Sequence, residues 1–297
     1  MHPNKKVSLT TLGRRLDGNR PKGTLYLIGT PIGNLADITL RALRTLGEVN
    51  LIACEDTRTT QKLLNAYRIK TITTSYHEHN EMTKAPELVL QLEEGDNIGL
   101  VSDSGMPGIS DPGYRLIQLA IRHGIRVVPI PGVSAFVAAL VASGLPTDSF
   151  RFQGFLPPKR TARLATLGQA RGPQRTMVFY EAPHRLMATL KDMLEVLGDR
   201  NIVVAREVTK IHEEFIRGTI SSVLEQLKGK TIKGEITLIV DKPLPEAPPP
   251  ASTETLKQEF EKLIADGADR REAMKQIARR RGLSKSEVYR QLESRKE

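Results

Sequence analysis

From residue 24 onward, short apolar runs alternate with longer stretches in which apolar residues recur at helical spacing. Thr24–Gly29, Val49–Glu55, Asn97–Asp103 and Arg126–Ile130 are rich in Val, Ile and Leu and predict strands. Asp37–Leu46, Thr57–Tyr67, Glu81–Glu94 and Tyr114–His123 predict helices between them, with Asp37 as the N-cap of the first. Strand and helix in strict alternation imply crossovers, so residues 23–147 predict an α/β domain on a mostly parallel sheet. A second set of strands is predicted at Phe152–Leu156, Thr176–Glu181, Ile202–Glu207 and Glu235–Val240, giving a smaller α/β domain over 148–243. Residues 244–252 hold Pro245, Pro248, Pro249 and Pro250, the composition of a stiff, extended linker.

The chain closes with helical patterns over 253–297. Ala273, Ile277 and Ala278 share one helix face, and Gly282 ends that helix with Leu283 under the turn. Ser284 then caps a helix carrying Val288 and Leu292. This is the spacing of a helix-turn-helix, and a plain helical hairpin shows the same pattern.

Composition narrows the class. A chain of 297 residues exceeds one ordinary core and predicts several domains. No apolar stretch reaches the ~18 residues of a membrane helix, and residues 1–22 lack a signal peptide's apolar block. Cys54 is the sole cysteine, which permits no intramolecular disulfide and suits a reducing cytoplasm. The net charge of +10 is uneven. Residues 1–24, expected to begin as a flexible basic tail over 1–22, hold six bases and one acid; residues 251–297 hold twelve bases and nine acids. Between them, residues 156–175 carry Lys159, Arg160, Arg163, Arg171 and Arg175 with no acid. Three basic clusters on a nearly neutral body suit a polyanion, since each neutralised phosphate releases counterions.

The chemistry concentrates where strands run into turns. Gly29-Thr30-Pro31-Ile32-Gly33-Asn34-Leu35 permits close backbone approach, but lacks both the P-loop ending and the dinucleotide fingerprint. From Ser102 to Gly113, five of twelve residues are Gly or Pro, directly after an apolar strand, where open α/β sheets place ligands. Asp103 and Ser104 are candidates to hold polar ligand groups there and Met106 to cover an apolar face; the alternative is a tight crossover turn with Asp111 capping the next helix. Pro129-Ile130-Pro131-Gly132-Val133-Ser134-Ala135 is a third strand-turn-helix, with Ser134 at the N-cap.

Together these segments resemble the tetrapyrrole-methylase superfamily of S-adenosylmethionine-dependent methyltransferases, over about residues 24–242. Thr30-Pro31-Ile32-Gly33-Asn34-Leu35-Ala36-Asp37-Ile38-Thr39, Glu55-Asp56-Thr57-Arg58, Ser110-Asp111-Pro112-Gly113, Gly154-Phe155-Leu156-Pro157, Phe179-Tyr180-Glu181 and His184-Arg185 are similar to one branch of it. That branch methylates the ribose 2′-oxygen of cytidine 1402 in 16S rRNA of the 30S subunit. The resemblance implies two α/β domains with the cofactor in the cleft between them, a C-terminal helical domain and a homodimer. It implies that Pro31, Asp103, Ser104, Met106, Ser134 and Ala135 contact S-adenosylmethionine from the first domain. From the second domain it implies Tyr180 and the backbone around Glu207 and Thr237. Many corrin-modifying members read Gly-Asp-Pro where this chain reads Ser-Asp-Ser-Gly-Met-Pro, which argues against a tetrapyrrole substrate.

Methyl transfer to a ribose hydroxyl requires in-line positioning and a base for the hydroxyl proton. Glu55 and Asp56, at a strand end with Arg58 close by, and His77 are the candidates; the alternative for Glu55 and Asp56 is a capping pair bound to Arg58. His77 and His79 have no further His or Cys close by in sequence, so no metal site is expected. Lys159, Arg160 and Arg163 are expected to meet RNA phosphates, with the C-terminal helices as a second contact. Two rival readings are a small-molecule, tetrapyrrole-type methyltransferase of the same fold and a ligand-sensing DNA-binding regulator. The basic clusters weigh against the first and the dense strand-end turns against the second.

Overall fold

The computed structural model describes residues 21–169, 175–243 and 256–293. The expected N-terminal tail lies almost wholly outside them, and Arg171 and the whole proline-rich linker lie outside them too.

The first domain is a five-stranded sheet, β1 (Thr24–Ile28), β2 (Leu51–Cys54), β3 (Thr73–Ser75), β4 (Ile98–Val101) and β5 (Arg126–Ile130), in the order β3-β2-β4-β1-β5. Every pairing is parallel. β2 and β4 are buried at every residue, as strands covered on both faces by crossover helices must be. The crossovers are α1 (Leu40–Glu48), α2 (Thr57–Ala66), α3 (Glu81–Glu93) and α4 (Tyr114–Arg122). Cys54, at the end of β2, is fully buried and unpaired, and burial pushes its thiol pKa up, away from the reactive thiolate.

Asp37 does not cap the first helix. Residues Leu35–Asp37 make one 3₁₀ turn capped by Asn34, Ile38 is extended, and Thr39 caps α1 by accepting from the Ala42 N–H at 3.0 Å. The extended Ile38 separates the two segments, so Asp37 belongs to the turn.

α5 (Ala135–Ser143) follows β5 but packs on the second sheet. Its Ala139 and Leu140 share a buried cluster with Val178, Val203, Ala205 and Ile239. Phe136 stacks on Phe152 of that sheet with centroids 4.4 Å apart. This apolar helix couples the two domains.

The second sheet comprises β6 (Phe150–Phe155), β7 (Thr176–Glu181), β8 (Asn201–Arg206), β9 (Glu214–Thr219) and β10 (Ile236–Val240), ordered β6-β7-β10-β8-β9. β6 and β7 pair in parallel and the other pairs are antiparallel. Its helices are α6 (Arg160–Gln169), α7 (Leu186–Leu197) and α8 (Ile220–Leu227). The two strands without a sequence signal, β3 and β9, are both sheet edges, and their half-buried, polar character gives no apolar run.

α9 (Leu256–Ala265), α10 (Arg270–Arg281) and α11 (Lys285–Glu293) form a small bundle around Ala273, Ile277 and Val288. Gly282 ends α10 in the left-handed region at φ 64. Ser284 and Glu287 then make a reciprocal capping box: the Ser284 N–H donates to the Glu287 carboxylate at 2.8 Å, and the Glu287 N–H to Ser284 Oγ at 3.3 Å. Buried Glu259 of α9 accepts from Arg281 at 2.8 Å and holds α10 in place. Among the described residues no helix is long and apolar enough to cross a membrane.

Candidate active site

Parallel strands deliver all their carboxyl ends to one edge, so the turns after β1, β4 and β5 meet there. Gly29 and Gly132 lie backbone to backbone: a Cβ on Gly132 would stand 2.8 Å from the Gly29 Cα, and one on Gly29 would stand 2.7 Å from the Met106 sulfur. No side chain fits at either position. The second loop is sewn to the first by paired backbone bonds, the Thr30 N–H to the Gly105 carbonyl at 2.9 Å and the Gly105 N–H to the Thr30 carbonyl at 3.1 Å. The loop then turns through Gly105 and Gly108, both at φ 81, and Ser110 at φ 60. Those left-handed positions fold Asp111 back into the cleft rather than onto the next helix, where Gly113 is the N-cap residue.

Two adjoining cavities of about 340 Å³ each occupy the seam. The first is lined from one side by Met106, Ser134 and Ala135 and from the other by Tyr180 and Thr237, with Asp111 between. Tyr180 and Thr237 are direct cross-strand partners in β7 and β10. Pro31 and Asp103 line the second cavity, and Ser104 lines both. Residues expected to share one ligand are thus divided between two compartments. Glu207 lines neither; it sits at φ 52 and accepts from the Lys210 ammonium and the Glu235 N–H, both at 2.9 Å. Its neighbour Val208 reaches the first cavity, and Lys210 and Glu235 reach the second.

The first cavity fits a folded nucleoside cofactor with an aliphatic tail. Its walls are largely apolar, from Ile32, Met106, Ile109, Val208 and Ile236, with a few convergent hydroxyls. Ser134 stands at the N-cap of α5 without bonding back to that helix, which leaves its hydroxyl for the cavity side. Burial raises the Tyr180 hydroxyl pKa, partly offset by the Phe136 N–H, with Asp111 adding and Ser134 subtracting.

Carboxylates gather behind the second loop. Burial lifts Asp111 to about 6, with the charge of Glu55 adding. Glu55 is raised by burial, then by Asp103 and Glu78; Asp103 is raised mainly by burial although it accepts the Asp56 N–H at 3.1 Å. Asp56 is held low by Arg58, whose side chain bonds it at 2.9 and 3.2 Å while its backbone N–H makes Asp56 the cap of α2. None of Glu55, Asp56 and His77 lines either cavity. The His77 ring stands edge-on to His79 at 5.9 Å, with its Nδ1 buried.

The basic segment divides. Lys159 is exposed, and Arg160 binds Asp192 at 3.0 Å and Glu195 at 2.7 Å with a half-exposed side chain. Arg163 does not face solvent: it is 5% exposed, pairs with buried Asp192 at 2.6 Å and donates to the Pro158 carbonyl at 3.1 Å. Its charge is consumed in pinning α6 to α7, so it is a core residue and not an RNA contact.

A family model described as tetrapyrrole (corrin/porphyrin) methylases matches residues 24–224. The chain is 51% identical to a ribosomal RNA small subunit methyltransferase I of Halalkalibacterium halodurans, over 90% of this chain and 94% of that one. It is 47% identical to the protein of that name from Synechocystis sp., over 90% and 96%. The Bacillus subtilis protein of that name is 45% identical over 92% and 95%. In fold it is similar to the crystal structure of uroporphyrin-III-C-methyltransferase from Thermus thermophilus, with a TM-score of 0.54 at 21% identity, covering 74% of this chain and 95% of that one. The chain is therefore an S-adenosylmethionine-dependent methyltransferase and belongs to the tetrapyrrole methylase family, in the branch of the ribosomal RNA small subunit methyltransferase I proteins.

Proposed function

We propose that the protein methylates the ribose 2′-oxygen of cytidine 1402 in 16S rRNA, acting in the cytoplasm on the 30S subunit. The observation that carries this reading is near-full-length identity of 45–51% to relatives bearing the rRNA name, on a chain whose strand-end turns build a nucleoside-sized cavity. S-adenosylmethionine supplies a methyl group on a positively charged sulfur, and the first cavity holds it through Met106, Ser134, Ala135, Tyr180 and Thr237, with Ser104 at its edge. The protein's own task is positioning: the bare Gly29 backbone leaves Met106 its place in the cavity wall, and the apolar walls exclude water.

The hydroxyl proton goes to the Glu55–Asp103 pair. Asp103 lines the second cavity and Glu55 stands behind it; burial raises the proton affinity of both, and the charge of Asp103 adds at Glu55. Asp56, neutralised by Arg58, is the poorer acceptor. Lys159 and the outer side of Arg160 meet RNA phosphates, and the C-terminal helices add a second contact. The enzyme works as a homodimer, a reading supported by the exposed Val137 and Val141 on α5 beside Phe150. Incubation with labelled S-adenosylmethionine and 30S subunits, free 16S rRNA, duplex DNA or tetrapyrroles should place label on 16S rRNA in the subunit. Label on a tetrapyrrole, or on nothing, would overturn the reading. Deleting residues 251–297 should weaken 30S affinity and flatten its salt dependence while sparing cofactor binding; unchanged affinity would remove the C-terminal helices from the proposal.

A further inference from the structure

The second cavity is as large as the first and shares with it a thin wall of Ile32, Ser104 and Glu235. We infer that this second cavity receives the target nucleotide, turned out of its RNA stack, with its ribose against Asp103 and Ser104 and its phosphate at Lys62. The inference rests on the proposed RNA function and adds where the acceptor sits.

Methyl transfer requires donor and acceptor in van der Waals contact, which two compartments separated by a single layer of side chains allow. The first cavity suffices by itself for the methyl donor, so the second, of equal size, remains for the acceptor. Its chemistry is graded. Ser104 at the shared wall and Asp103 beside it in the chain supply a hydroxyl and a carboxylate suited to sugar hydroxyls. Ile32, Leu35 and Leu63 give apolar surface for a base face, and Leu35 is 49% exposed. Two lysines line the cavity. Lys210 is bound to Glu207 at 2.9 Å and Glu235 at 3.2 Å, whereas Lys62, on the exposed side of α2, is in no ion pair among the described residues. That leaves Lys62 as the phosphate contact. The cavity lies between α2 and the loop holding Lys210, and a nucleotide turned out of its stack can bring its ribose to Asp103 and Ser104 there.

Thr59, on the first turn of α2, lines this cavity and not the first. Thr59→Trp should fill it, lowering transfer to 30S subunits by about 100-fold or more while calorimetric affinity for S-adenosylmethionine stays within about twofold. Lys62→Ala, an exposed change that leaves the fold intact, should raise KM for the subunit several-fold at unchanged kcat and lower the salt slope of RNA binding by about one. Loss of cofactor affinity in Thr59→Trp would overturn the inference, because the cavity would then hold part of the donor. Transfer at the wild-type rate in Thr59→Trp, or an unmoved KM and salt slope in Lys62→Ala, would overturn it too. If the wild-type protein places no label on RNA, the function itself fails and the inference falls with it; an active wild type with unaffected variants sinks the inference alone.

Discussion

The two sheets each have five strands and contribute to the site in opposite ways. In the all-parallel first sheet, every strand ends on the same edge, and the site is made by turns: three of them, at Gly29–Gly33, Ser102–Gly113 and Gly132–Ala135, converge without further instruction. In the mixed second sheet, neighbouring strand ends alternate, and the site is made by a register: Tyr180 near the end of β7 faces Thr237 near the start of β10. A parallel edge concentrates backbone, which binds through close approach, whereas an antiparallel edge concentrates side chains from distant parts of the chain. The first domain therefore depends on glycine and the second on packing and paired charge.

This contrast can be broken experimentally. The largest effect belongs to the second domain: Arg163→Ala leaves the buried Asp192 carboxylate with only the half-exposed Arg160 and should cost about 3 kcal/mol in denaturant unfolding, the low end for breaking a buried pair. The double change Arg163→Met with Asp192→Leu should recover much of it. Intact stability with weakened RNA binding in Arg163→Ala would return this arginine to the RNA surface. Next, in the first domain, Gly132→Ala sets a Cβ against the Gly29 backbone and should cost about 1–3 kcal/mol together with cofactor affinity. Gly168→Ala, in α6 with nothing within 4 Å of the new atom, should instead stabilise by up to about 1 kcal/mol. Equal effects at the two glycines would erase the distinction between the domains.

A smaller effect concerns pH. The folded protein holds the Asp111 proton up to about 6 against an ordinary 3.8, so between those values the folded state binds more protons than the unfolded one and stability falls as pH rises. Above about 6 the loss is complete and the curve is level. Asp111→Asn should flatten that slope, leaving the residue of Glu55 and Asp103, and should unfold at a higher temperature than the wild type at pH 7. An unchanged pH profile would place Asp111 in solvent. The smallest effect is expected at the seam: Tyr180→Phe keeps the ring against Phe152 and Phe155 but loses the hydroxyl beside Ser134, worth about 0.5–1.5 kcal/mol of cofactor affinity by calorimetry.

The sequence by itself determined the elements whose causes are local. Apolar runs placed eight of the ten strands among the described residues to within two residues at each end, and Gly282 with Ser284 marked the C-terminal helix junction. Glycine and proline at the strand ends marked the turns that line the cleft, because backbone conformation is dictated by the residue that adopts it. Only the tertiary structure decided the rest. Arg163 is core and Lys159 surface although both sit in one basic run, because the partner that buries Arg163 is Asp192, twenty-nine residues on. Asp111, a helix cap in the alternative reading of its loop, is a cavity carboxyl with a raised pKa because the surrounding loop buries it, with the charge of Glu55 adding. Pro31 and Asp103 read as contacts of the same ligand as Met106, and line a second cavity that adjoins Met106's through Ile32, Ser104 and Glu235, which meet between the two domains. Burial and charge pairing are set by neighbours remote in the chain, and no window along the sequence contains them.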